Sequence, residues 1–362
     1  MVTITIDMRM LNASGIGVYL RNLIPLVIAA CPEQRFVLLG NASNLSTLIA
    51  NTAGHVDIIP CTAAIYSITE QIQLAKRIPQ DTSLLWAPHY NIPVFYRGNL
   101  LVTVHDVLHL ARPDLFPGWR RRFYAQLMFR RVALQASEIL CDSIFTQDEL
   151  RRYVSPHLKN ITVVPLGVSP AWFKPVTPES PPHPRPYLFF VGNIKPHKNL
   201  LGLLRAFSLI QDRIPHDLVI VGRSAGFKTS DEAALKLAKG MSRRVHLLGD
   251  IEDALVQRYM AHAQMLVLPS LYEGFGLPAL EAMASACPVL AANIPALVEV
   301  CADAALYCDP LMPNDIAEQI LKLISDSALS ESLIKKGALR AQAYSWQKSA
   351  QQTTALIKRM IH

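Results

Sequence analysis

Two α/β domains, each a parallel sheet with helices on both faces, are the fold class that this sequence predicts. Three observations carry the prediction. Short apolar or β-branched runs alternate with helix-length stretches along nearly the whole chain, the pattern βαβ units produce because parallel strands need a crossover between them. A proline-rich stretch divides that alternation into two halves. The 362 residues fit about two domains by size, and an apolar content of 51% supplies two cores.

In the first half, residues 2–6 alternate Val-Thr-Ile-Thr-Ile and read as a strand, and 18–30 as an apolar helix. Further strand-like runs fall at 35–39, 56–59, 84–86, 100–104, 138–141 and 161–164, with helical stretches at 70–77 and 119–135. Between 165 and 186 stand eight prolines, at 165, 170, 175, 178, 181, 182, 184 and 186. Proline fixes φ and removes a backbone donor, so this stretch reads as an interdomain linker. The domain boundaries are therefore placed at 1–168, 169–186 for the linker and 187–344. In the second half strands are expected at 187–191, 218–221, 245–248, 265–268, 288–291 and 305–307, alternating with helices at 200–211, 231–239, 254–263, 278–286 and 295–301. Six βα units make a doubly wound domain, which binds ligands outside the carboxyl ends of its strands. Residues 314–361 read as largely helical with a break at Tyr344-Ser345-Trp346, and the last helix, 345–362, is expected to return to the first domain.

A net charge of +7 calls for a negatively charged partner, and a nucleotide, an anionic lipid surface and a nucleic acid all qualify. The six cysteines, at 31, 61, 141, 287, 301 and 308, form no Cys-x-x-Cys and no Cys/His group at zinc spacing. Most sit in apolar runs, which suggests a reduced, cytoplasmic protein. The alternating N-terminus lacks the basic start of a signal peptide. No apolar run approaches the roughly 18 residues of a membrane span.

The most informative stretch begins where Met265-Leu266-Val267-Leu268 runs into Pro269-Ser270-Leu271-Tyr272-Glu273-Gly274-Phe275-Gly276-Leu277-Pro278. The two glycines allow close backbone approach, and Pro278 suits the first turn of a helix. A strand, a glycine loop and a helix N-terminus make a site for anions and hydroxyls. Glu273 and Glu281 flank it. A tight turn with an acid favoured by the helix dipole, worth about 0.3–1 kcal/mol, is the plainer reading of the same residues.

The order Glu273-Gly-Phe-Gly-Leu-Pro-Ala-Leu-Glu281 resembles the Glu-x7-Glu signature of the retaining family-4 glycosyltransferases. That resemblance covers nearly the whole chain and implies the GT-B architecture, two Rossmann-like doubly wound domains facing a central cleft. It further implies that Glu273 and the loop Gly274, Phe275, Gly276 and Leu277 hold the donor sugar, while Glu281 bonds the ribose hydroxyls.

Other motifs fall at strand ends in the same order. Gly15-Ile16-Gly17 opens a helix after the first strand; it lacks the third glycine and the distal acid of a dinucleotide fingerprint. The resemblance gives Gly15 and Gly17 a contact to the donor phosphate or the acceptor. His105-Asp106 ends a strand, where a packed, hydrogen-bonded histidine is one reading. The resemblance implies instead a pair near the donor sugar and the incoming acceptor, acting without a metal. In Gly192-Asn193-Ile194-Lys195-Pro196-His197-Lys198-Asn199, a lysine at a helix N-terminus suits a bound phosphate. Family members read Pro-Arg-Lys-Asn there, and their phosphate-clamping arginine is replaced by Asn193. Arg223, after the next strand, is the candidate substitute for it. Gly249-Asp250-Ile251 is where the resemblance places recognition of the base, with Ile251 against it.

From 119 to 134, Arg120, Arg121, Arg122, Arg130 and Arg131 stand without an acid among Trp119, Phe123, Tyr124, Leu127, Met128 and Phe129. A solvated basic face is one reading; a helix resting on anionic lipid is the other, and suits an acceptor carried on a lipid diphosphate. No recognised motif supports nucleic acid. The expectation is thus a retaining, metal-independent hexosyltransferase without a cofactor, taking a nucleotide diphosphate sugar, with mannose from GDP-mannose leading, to a saccharide acceptor in polysaccharide or O-antigen assembly. It would be cytoplasmic, with a peripheral contact on the inner membrane face. A nucleotide-sugar epimerase of the same fold and a non-catalytic nucleotide-sugar or glycan-binding protein are the alternatives. A glycogen-phosphorylase-like enzyme is disfavoured, since the sequence offers no identifiable lysine site for pyridoxal phosphate.

Overall fold

The computed structural model describes residues 1–116, 118–175, 181–222 and 231–361. The chain divides into two compact units. The first comprises Met1–Pro113, Pro117–Gly167 and Ser345–His362, and the second Asp114–Phe116 and Val168–Tyr344.

The first unit is built on seven parallel strands, β1 (Thr3–Asp7), β2 (Arg35–Gly40), β3 (His55–Pro60), β4 (Thr82–Ala87), β5 (Leu100–Val104), β6 (Glu138–Cys141) and β7 (Ile161–Val163). Their order is β3-β2-β1-β4-β5-β6-β7. Helices cover both faces of a parallel sheet, so its central strands must be apolar on both sides. All five residues of β5 are accordingly buried, whereas the edge strand β3 has none buried. The helix Ser14–Ala29 buries Leu20, Leu23, Ile24, Val27 and Ile28, a stripe at helical spacing. The last helix, Trp346–Ile361, belongs to this unit, and the chain approaches it closely: a Cβ on Gly167 would lie 2.0 Å from the Trp346 nitrogen. Ser349 Oγ there donates to the Pro165 carbonyl at 2.5 Å.

The second unit has six parallel strands, β8 (Tyr187–Val191), β9 (Asp217–Val221), β10 (Val245–Gly249), β11 (Met265–Leu268), β12 (Val289–Ala292) and β13 (Leu306–Cys308), in the order β10-β9-β8-β11-β12-β13. Leu188, Phe190, Leu203, Phe207, Leu218, Ile220, Met265, Val267 and Leu290 form its core. The six cysteines are buried and unbridged.

Strand order reverses between β1 and β4 in one sheet and between β8 and β11 in the other. At such a point the crossovers leave on opposite faces and open a crevice at the carboxyl ends of the strands. Two helices absent from the sequence reading, Ala42–Ile49 and Ile144–Tyr153, are short, but each starts on a side-chain cap. Asn41 accepts from Asn44 N–H, and Ser143 from Thr146 N–H. The helical tail also breaks at Asp326, which caps Ser327–Gln342.

Candidate active site

In the second unit the sequence-predicted residues gather at the β8/β11 reversal. The loop after β8 runs through Gly192, at φ +152°, into a short 3-10 turn, Pro196–Lys198. Gly222, the residue after β9, lies so near that a Cβ on it would stand 1.8 Å from the Gly192 carbonyl oxygen. Asn199 then takes a left-handed conformation at φ +55°, which asparagine tolerates better than most residues. Its amide donates to the carbonyls of Pro269 at 2.9 Å and Pro310 at 2.7 Å. Leu271 N–H donates to the His197 carbonyl at 2.7 Å, so the loops after β8 and β11 are tied along their backbones.

This tie sets Lys198 on Glu273, with Nζ 2.6 Å from Oε1 and 2.8 Å from Oε2. Ser270 Oγ also donates to Oε1, at 2.7 Å. The two side chains are only 19% and 12% exposed, so each charge depends on the other for compensation. Gly276 follows at φ +102° as the N-cap of the helix Leu277–Ala284, and a Cβ there would lie 2.4 Å from Leu297 Cδ2. The conformation and the close approach both demand glycine. Gly274 stands half-buried in the turn, Leu277 begins the helix, and the Phe275 ring turns inward to meet Tyr344 edge-on at 5.8 Å.

Glu281 lies one turn into that helix. Burial of its carboxyl, helped by the charge of Asp253, pushes its pKa up to about 8. Asp253 opens the helix Asp253–His262 just beyond Ile251, itself half-buried after β10. Among the described residues this carboxyl has no cationic partner, and such a group at a strand-end crevice is a mark of a binding site. The linkage has a definite sign. The folded form holds a proton that the unfolded chain releases near pH 4.3, so wild-type stability falls as pH rises from about 4 to 8. Glu281→Gln lacks that penalty, and its stability relative to wild type is expected to grow across this interval in denaturant titrations. A difference independent of pH would contradict the assignment. Arg223 lies outside the described residues.

In the first unit His105 follows β5. Its Nδ1 is 2.6 Å from Asp142 Oδ2 and its Nε2 3.2 Å from the Pro88 carbonyl. A carboxylate and a carbonyl only accept, so both ring nitrogens must donate and the imidazole is cationic in this geometry. Burial alone would lower its pKa, but the charge and hydrogen bond of Asp142, with Asp106 and the Pro88 carbonyl, outweigh it and raise the value. The Tyr19 ring packs edge-on to His105 at 4.9 Å. Asp106, its neighbour in sequence, instead accepts from Leu108 N–H at 2.9 Å. Asp142 was missed by the sequence reading, although it too follows the end of a strand, β6. Gly15 and Gly17 lie in the first turn of Ser14–Ala29. A Cβ on Gly17 would come within 2.4 Å of the Leu11 carbonyl oxygen, whereas Gly15 is exposed with open space beside it.

A second group went unread in the sequence and sits at the β1/β4 reversal. Arg9 Nε and Nη2 donate to Asp7 at 2.8 and 2.6 Å, and Nη2 is 2.7 Å from Glu70 Oε1. Asn91 Nδ2 donates to the same Glu70 oxygen at 2.6 Å, and Tyr124 OH donates to Asn91. Arg9 Nη1 is buried without a hydrogen-bond partner among the described residues. Arg9, Asp7, His89 and Asn91 line a small cavity here. Burial and the charges of His105, His109 and Arg9 push the His89 pKa down to about 3, leaving its ring neutral. The only sequence signal was an Asp-x-Arg at the end of the first strand.

The helix Trp119–Gln135 buries Ala125, Met128, Phe129 and Val132. Its outer face exposes Trp119 (74%), Phe123 (62%), Leu127 and Leu134 (70%) beside exposed Arg120, Arg121, Arg122 and Arg130, with Arg131 half-buried.

Solved structures share this architecture. Sucrose-phosphate synthase from Thermosynechococcus elongatus superposes with a TM-score of 0.82 at 20% identity, over 99% of both chains. Anabaena HepE in complex with UDP-glucose gives 0.75 at 17%, over 99% of this chain and 100% of that one. The fold is that of the GT-B glycosyltransferases. Residues 176–340 match the family model for glycosyl transferases group 1. O-antigen chain mannosyltransferase B of Escherichia coli is 30% identical over 279 residues, 73% of this chain and 72% of the relative. The chain belongs to the group 1 glycosyltransferases.

Proposed function

We propose that this chain is a retaining, metal-independent hexosyltransferase that moves mannose from GDP-mannose to a saccharide acceptor in cell-surface polysaccharide assembly. The Lys198–Glu273 pair at the β8/β11 reversal carries the reading, because it sets a cation and a hydroxyl acceptor side by side. Lys198 neutralises the charge growing on the departing diphosphate. Glu273, with Gly274, Phe275, Gly276 and Leu277, holds the hexose hydroxyls; Glu281 accepts from the ribose, and Ile251 contacts the base. Gly15 supplies a backbone N–H group, Gly17, whose own N–H is bound to the Ala13 carbonyl, lets the chain pack closely behind it, and Arg223 is the second phosphate cation. In the reaction the bond from the anomeric carbon to the diphosphate oxygen breaks, and the acceptor oxygen bonds that carbon on the same face. The acceptor proton passes to the departing phosphate oxygen, giving a nucleoside diphosphate and a glycoside. His105, held at Nδ1 by Asp142, exchanges its Nε2 bond to the Pro88 carbonyl for one to the transferring sugar, with Asp106 beside it. Mannose is favoured because the Escherichia coli relative is named a mannosyltransferase.

The test is turnover with a panel of nucleotide sugars and a mannosyl-oligosaccharide acceptor. GDP-mannose is expected to give the highest kcat/KM, with an α-mannoside by NMR and no acceleration by added magnesium or manganese. An inverted product or a rate requiring either metal would overturn the mechanism.

The outer face of Trp119–Gln135 supports a peripheral contact with anionic membrane, since large apolar side chains beside arginines suit the headgroup boundary. Among the described residues no helix is long and apolar enough to cross a membrane. Sedimentation with vesicles containing anionic lipid is expected to capture the protein, and Arg120→Glu with Arg122→Glu to release it. Equal binding to neutral vesicles would remove this contact.

A further inference from the structure

We infer a metal site, taking Zn²⁺ or a similar late divalent ion, formed by His183, Asp217 and His246 at the amino-terminal edge of the second sheet. The three residues are far apart in sequence, and the fold brings them together. His183 lies in the proline-rich stretch, Asp217 opens β9 and His246 is the second residue of β10. His183 Nε2 is 2.8 Å from Asp217 Oδ2, and His246 Nε2 is 3.1 Å from the same oxygen. The three ligating atoms lie within 4.8 Å of one another, the only such group of histidine, cysteine and acid side chains among the described residues. A tetrahedral zinc with ligands at about 2.0–2.1 Å holds neighbouring ligand atoms about 3.3 Å apart, so the two histidine–carboxylate distances need spread by only a few tenths of an ångström, while the two imidazole nitrogens, within 4.8 Å of each other, settle onto the ion by rotation of their side chains. The ion would replace the protons now shared between two imidazoles and one carboxylate oxygen.

The surroundings hold the ligands in place. Asp217 is 2% exposed, and Arg244 Nε donates to its other oxygen, Oδ1, at 2.8 Å, which leaves Oδ2 facing both imidazoles. Arg244 is in turn bound to the carbonyls of Gln211, Ile214 and His216, whose dipoles offset its charge, so it acts as the outer brace of a ligating carboxylate. Arg185, 3.5 Å from Oδ1, is 47% exposed and screened by solvent. The His183 ring is held edge-on by Tyr187, with centroids 5.6 Å apart. His246 is 31% exposed, which leaves water access to complete the coordination. Two imidazoles and one carboxylate suit zinc, nickel or copper far better than magnesium or calcium.

Lys198 and Glu273 follow the carboxyl ends of β8 and β11, whereas this group sits at the opposite ends of parallel strands. Its role is therefore structural: the ion clips the proline-rich stretch at His183 to the start of β9 and β10. The inference does not rest on the proposed transfer reaction.

Tag-free protein, stripped of metal by chelator and dialysed, would be titrated with Zn²⁺ by calorimetry and with Co²⁺ by visible absorption. One equivalent is expected to bind, with tetrahedral Co²⁺ bands and a rise in Tm. His183→Gln and His246→Gln should each weaken binding by more than about 100-fold and abolish the Co²⁺ bands, while Lys198→Ala leaves both intact. Both histidines are partly exposed, so the variants should fold, and circular dichroism would check this. Failure of wild type to bind Zn²⁺ at micromolar concentration, or binding indifferent to both substitutions, would overturn the site.

Discussion

Lys198→Ala is expected to lower kcat/KM for nucleotide-sugar transfer by about 10²- to 10³-fold, the effect of removing one preorganised group aimed at developing charge. Glu273→Gln should lose a similar amount, because the two side chains meet at 2.6 and 2.8 Å and form one unit. The double variant Lys198→Met/Glu273→Gln should then lose little more than either single change, since contacting residues are not additive. Stability separates the charge from the fold. Lys198→Ala leaves a largely buried carboxylate that keeps Ser270 Oγ as a donor but loses its cation, and costs about 1–3 kcal/mol in denaturant titrations. The double variant removes both charges and should recover most of that loss while remaining inactive. Calorimetry with the nucleoside diphosphate would show the lysine's share directly. Near-normal transfer by Lys198→Ala would exclude the pair from the reaction.

The same pair marks the limit of what the residues reveal by themselves. Strand, glycine loop and helix start were legible from 265 to 281, because a turn needing Gly276 and a proline in the first helical turn are local demands. The alternation that makes two parallel sheets was equally legible, since it repeats along the chain. That Lys198 stands on Glu273, 75 residues on, follows from β8 and β11 being neighbours across a strand-order reversal, which periodicity does not report. Asn199 reads in sequence as one letter of a phosphate motif, yet its amide ties two loops through Pro269 and Pro310. Glu70 was hidden differently. It stands in an amphipathic helix, where an acid normally faces solvent, and it is fully buried against Arg9 and Asn91.

His105→Ala is the second large loss expected, again about 10²- to 10³-fold in kcat/KM, if the cationic ring donates to the sugar as its charge develops. Asp142→Asn tests how that ring is held. The wild-type imidazole has its folded pKa raised above the ordinary value of about 6.5 by Asp142. It therefore contributes stability that is fully present below pH 6.5 and is lost as pH rises through the folded pKa. In Asp142→Asn the carboxylate is gone, burial is no longer outweighed, and the ring resists protonation in the folded state. The stability gap between wild type and Asp142→Asn should thus be widest near pH 5.5 and narrow toward pH 9, in denaturant titrations at fixed ionic strength. Activity should follow the same proton. The variant's transfer rate is expected to fall at a lower pH than wild type's, with kcat more affected than the donor KM, because the carboxylate acts through the ring rather than on the donor. A gap that does not change with pH, together with an unshifted activity profile, would show that Asp142 only packs, and that the acid His105 needs lies elsewhere.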